Sequence, residues 1–173
     1  MLRRPLAAEL GRYVDTMRSV LCLAVLVGAS AACGGSKPVP PPVQIRLASA
    51  DSTVRWVLDS AVVADFDCDG RVDSAFVGRA VNRISVGIVR GSTDSPTVAG
   101  FGVHGSAVQE DVGSASASLT LETIDFDPKD DVGDLEGFER SASCKGLNLA
   151  DGNSDAMHIY WNHKTGALSA WRR

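Results

Sequence analysis

The sequence predicts a small, mainly β domain, on three observations. From Gln44 to Arg173 apolar residues recur mostly in twos, and turn residues arrive about every ten positions, the signature of strands joined by turns. Of 173 residues, 45% are apolar and 22% charged, the balance of an ordinary globular chain. The 17 Gly and 7 Pro follow no collagen repeat, and no heptad pattern persists. Strands are expected near Ala61 to Ala64, Ser74 to Val77, Arg83 to Arg90, Val98 to Val103, Ser116 to Ile124, Gly146 to Ala150, Met157 to Trp161 and Ala167 to Trp171. Residues 52–60, with Val54, Val57 and Leu58, suit either a short helix or another strand. The expected architecture is a small antiparallel domain of meander or sandwich type.

Ahead of this domain, residues 19–32 form an uncharged apolar run that follows Arg18 and ends in small residues, too short to span a bilayer. Residues 1–32 therefore read as a secretory signal peptide. Glu9 and Asp15 suit such a leader poorly, and Met17-Arg18 makes a better start. The stretch Ser30-Ala31-Ala32-Cys33-Gly34-Gly35-Ser36 resembles the lipobox of bacterial lipoproteins, with Ser30 where that family usually has Leu. The resemblance implies that Cys33 is acylated and becomes the mature N-terminus, anchoring an exported protein to a membrane. Cleavage near the same place with release of a soluble protein is the alternative. Residues 33–43, with Pro38 and Pro40 to Pro42, read as a tether of flexible Gly/Ser followed by a polyproline spacer. Folding is expected to begin at 44 and run to 173.

Removing the leader also removes Arg3, Arg4, Arg12 and Arg18, which leaves 13 basic and 19 acidic residues from Cys33 onward. A chain of that sign lacks the basic face that phosphates require, so a nucleic-acid partner is not expected. Cys22 lies inside the leader and Cys33 is the lipid site, leaving Cys68 and Cys144. In an exported, oxidising setting these two are expected to pair, closing a loop of roughly 75 residues and contributing up to ~4 kcal/mol. Neither has the close-spaced partners of a zinc site.

The stretch that carries chemistry is Asp65-Phe66-Asp67-Cys68-Asp69-Gly70-Arg71-Val72-Asp73, a D-x-D-x-D-G-x-x-D loop. Alternate side chains of a tightly curled segment converge, so Asp65, Asp67, Asp69 and Asp73 would meet at one point. Gly70 permits the sharp turn, and the backbone carbonyl of Arg71 can add a ligand. That many hard oxygens suit Ca²⁺ better than Mg²⁺, which keeps its waters. Transition metals would want imidazole or thiolate, absent here unless Cys68 contributes. An EF-hand would need Glu at position 12, where Phe76 stands, and flanking helices in place of Val62-Val63-Ala64 and Ser74-Ala75-Phe76-Val77. With Val77-Gly78 and the run Ile84 to Gly91, the stretch from Ser60 to Gly91 resembles one FG-GAP or VCBS-type repeat, Cys68 standing where that family has Gly. The resemblance implies strands around a structural calcium loop and one blade-like unit. Roughly 130 residues are too few for a whole propeller.

Elsewhere, residues 125–136 are acidic but lack alternate spacing and a central Gly, and read as a solvated loop. Residues 151–155 read as a turn. In the last hairpin, alternation puts Met157, Ile159 and Trp161 on one face and His158, Tyr160 and Asn162 on the other, with Gly166 in the turn. Trp161 and Trp171 suit cross-strand packing, or a sugar-stacking surface in a carbohydrate-binding module. There is no G-x-S-x-G in the mature domain, and His104, His158 and His163 do not have H-E-x-x-H spacing. The sequence therefore offers no active site to build. The leading expectation is a lipid-anchored envelope module, binding or structural, with one structural Ca²⁺ and an envelope protein or glycan as partner. The alternative is a small envelope hydrolase with calcium as a structural ion, which a pocket lined by His104 or His158 would favour.

Overall fold

A computed structural model describes residues 42–103, 116–152 and 154–172. The leader, Cys33 and His104 lie outside them. The element order is α1 (Val43–Ala50), β1 (Arg55–Ala64), β2 (Asp73–Ala80), β3 (Arg83–Val89), β4 (Thr97–Gly102), β5 (Ser118–Ile124), α2 (Lys129–Val132), β6 (Ser141–Ala150), β7 (Met157–Asn162) and β8 (Ala167–Trp171). The domain is mainly β and antiparallel, as expected. It consists of two four-stranded meanders, β1-β2-β3-β4 and β5-β6-β7-β8, each built from one continuous half of the domain.

The meanders pack face to face, β1 near β5 and β4 near β8. Register puts Ala75, Val77, Ile84, Val86, Ile88 and Phe101 on the inner face of the first sheet. Leu119, Leu147, Leu149, Met157 and Ile159 meet them from the second, and together they form the main core. This alternation of buried inner residues is the period-2 signal seen in the sequence.

Two local features depart from expectation, and one open alternative resolves as a strand. The tether assignment reached Val43, whereas Val43 to Ala50 is a helix. It lies on the outer face of the first sheet and packs Leu47, with no exposed surface, against Phe76 and Val89. Residues 55–64 form a strand, with a register shift between Val57 and Val62. Its spacing looked ambiguous because Val57 faces the core while Trp56 and Leu58 lie under α1, so both faces are apolar. Within the acidic stretch 125–136, Lys129 to Val132 forms a single helical turn. Where residues 151–155 are expected to turn, Asp151 accepts the Ser154 N–H and hydroxyl.

Candidate metal loop

The loop leaves β1 at Ala64 and enters β2 at Asp73. Two residues hold left-handed backbone, Cys68 at φ +61° and Gly70 at φ +80°. These reversals curl the segment so that Asp65 accepts the Gly70 N–H at 3.0 Å, Asp67 the Asp69 N–H at 3.2 Å and Asp69 the Arg71 N–H at 2.8 Å. Asp73, 1% exposed, closes the ring by accepting the Phe66 N–H at 3.0 Å through Oδ2 and the Gly91 N–H at 2.9 Å through Oδ1. Burial pushes the Asp73 carboxyl above its ordinary value. The charges of Asp67 and Asp69 push the same way, and the two N–H donors oppose them.

One carboxylate oxygen each from Asp65, Asp67 and Asp73 lie within 4.8 Å of one another. Oxygens sharing one Ca²⁺ at its usual bond lengths lie no more than ~5 Å apart, so the three fit a common hard cation. Asp65 Oδ1 is buried and has no hydrogen-bond partner, which leaves that carboxylate with an unused acceptor. Asp69 is not one of the three. Its carboxyl is turned to the Ser92 hydroxyl, which with the Arg71 N–H holds it below the ordinary carboxylate range. Cys68 is bonded to Cys144, with Cα atoms 5.4 Å apart, so its sulfur is not a thiolate ligand and the donor set is oxygen alone.

The loop touches both sheets. The disulfide joins it to β6, and the Lys145 N–H donates to the Asp65 carbonyl at 3.0 Å. From the end of β3, Arg90, Gly91 and Ser92 meet Asp67, Asp73 and Asp69 in turn. In the sequence Arg90-Gly91-Ser92 reads only as the end of a strand and the start of a turn. Nothing in that tripeptide shows from sequence alone that it returns to the loop.

The other candidate residues fall elsewhere. His158 stacks on Trp171, ring centroids 4.1 Å apart, and meets Glu122 Oε1 at 2.7 Å. The cavity of about 420 Å³ between β4 and β8 is lined by Tyr160, Asn162 and Glu136 among others, and His158 does not reach it. The His163 N–H donates to the Gly137 carbonyl in the final turn. Trp161 pairs across from Leu168 and Trp171 from His158, which puts the two indoles on opposite faces of the sheet, each 8% exposed. They form neither the cross-strand pair nor the common stacking surface that the sequence suggested. Tyr160, on the outer face, is covered by the segment that follows α2, through Phe138 and a hydrogen bond to the Glu136 carbonyl.

The oxygen-lined loop is thus the chemically distinctive feature among the described residues, and no family model, curated protein or solved structure matches the chain.

Proposed function

We propose that the chain is an exported, lipid-anchored envelope module, binding or structural, whose loop from Asp65 to Asp73 holds a structural Ca²⁺. The observation that carries the cation reading is the convergence of Asp65, Asp67 and Asp73, with Asp65 Oδ1 buried and unpartnered. A divalent cation there would offset most of the charge of three carboxylates at the junction of the two sheets, so its role is to hold them together. The anchor rests on Ser30 to Ser36 and the tether that follows.

Extracellular modules bind calcium with Kd values of order 10⁻⁴ to 10⁻³ M. Calcium at ~10 Kd stabilises the native state by about 1.4 kcal/mol, enough to raise the melting temperature by several degrees. Thermal melts in millimolar calcium should exceed those in EDTA, magnesium should substitute poorly, and Asp67→Ala should remove the difference. Melts that coincide with and without calcium would overturn the cation reading.

A further inference from the structure

Of the three residues that return to the loop, Arg90 alone brings a full charge. Its Nη1 stands 3.4 Å from Asp67 Oδ2, and its guanidinium carbon lies 5.1 Å from the ring centroid of Trp161 on β7. The Asp67 side chain is 5% exposed and that of Arg90 24%, so the pair is largely out of water, where a unit charge counts for most. Asp67 is also one of the three carboxylates that converge. A divalent cation and the guanidinium therefore draw on the same carboxylate, and their like charges repel when both are near it.

We propose that Arg90 is a resident counter-charge that competes with the cation for Asp67, sets the affinity of the loop, and couples its filling to Trp161. The proposal rests on the cation reading of the loop. In calcium-free protein, Arg90 neutralises Asp67 and spans from the loop to the second sheet through the indole face. When a cation fills the loop, Asp67 turns its charge toward the metal and the hold on Arg90 loosens, which changes the surroundings of Trp161. Affinity is then lower than the carboxylates alone would give, and the calcium-free loop is better held.

The test is calorimetric titration of the full chain with calcium chloride, for wild type, Arg90→Met and Arg90→Gln, with melts in EDTA and tryptophan emission recorded alongside. Removing the charge should tighten calcium binding about tenfold, ~1.4 kcal/mol. It should also lower the melting temperature in EDTA and abolish the emission change that calcium produces in wild type. Should Arg90→Met unfold in EDTA, Arg90→Gln, which keeps a hydrogen-bond donor for Asp67, carries the comparison. Wild-type or weaker calcium binding by a folded variant overturns the competition while leaving the cation site standing. Absence of calcium binding in all three chains overturns the cation reading, and the competition with it.

Discussion

Cys68 combines two roles that usually fall to different residues. Its backbone sits at φ +61°, a region that costs an L-residue roughly 1–2 kcal/mol and costs Gly nothing, while its sulfur ties the loop to Cys144. A Gly would hold this backbone without cost, and here the bond to β6 offsets the strain. In a Cys144→Ala background, Cys68→Gly should be more stable than Cys68→Ala by about 1 kcal/mol, as measured by urea unfolding; the reverse order would show that the backbone strain is not what matters. Much at this scale was legible in the sequence. Alternate aspartates around Gly70 state their own convergence, and two leftover cysteines state a pairing. The departure of Asp69 toward Ser92 was not legible, because a loop sequence does not say which distant hydroxyl will arrive beside it.

At the scale of elements, the outer face of the first sheet is shaped by glycines. A Cβ on Gly87 would stand 2.8 Å from Leu47 Cδ2 and 2.8 Å from the Trp56 ring, and one on Gly78 would collide with Val54 and crowd the same ring. The indole thus packs close against the bare backbone of both glycines, beside Leu47 of α1. Gly87→Ala should lower stability by ~1–3 kcal/mol in chemical denaturation, the range for overpacking a filled site, and a neutral result would mean that α1 shifts freely. The eight-residue helix escaped sequence reading because it offers only Val43 and Leu47 as a turn-spaced apolar pair, too short a run to show a period. Its stability is tertiary, drawn from the strands beneath it. The strand faces and turn of the final hairpin, by contrast, were legible, though the placing of Trp171 opposite His158 and away from Trp161 was not. Strict alternation from Met157 to Trp161 and a Gly at φ +66° specify both its faces and its turn.

For the whole molecule, the sequence indicated strands, and their number fits; what it could not convey was their division into two sheets, since period 2 marks an inner face without naming the sheet opposite. The described chain begins at Pro42, which caps α1, and Arg46 of that helix lines one cavity of about 220 Å³ with Arg90, Gly91 and Asp94. This helix therefore lies at the loop end of the first sheet. If Cys33 carries the anchor, Cys33→Ser should abolish labelling by a fatty-acid analogue and release the protein from the membrane fraction; unchanged fractionation would refute it. The division into consecutive halves also sets an order of events. A chain is made from its N-terminus, so the first meander, with the whole acidic loop and the Arg90-Gly91-Ser92 segment that answers it, is complete before Cys144 exists. The carboxylates have their counter-groups within their own half, and the covalent bond to Cys144, 76 residues away, adds a clasp from the other half.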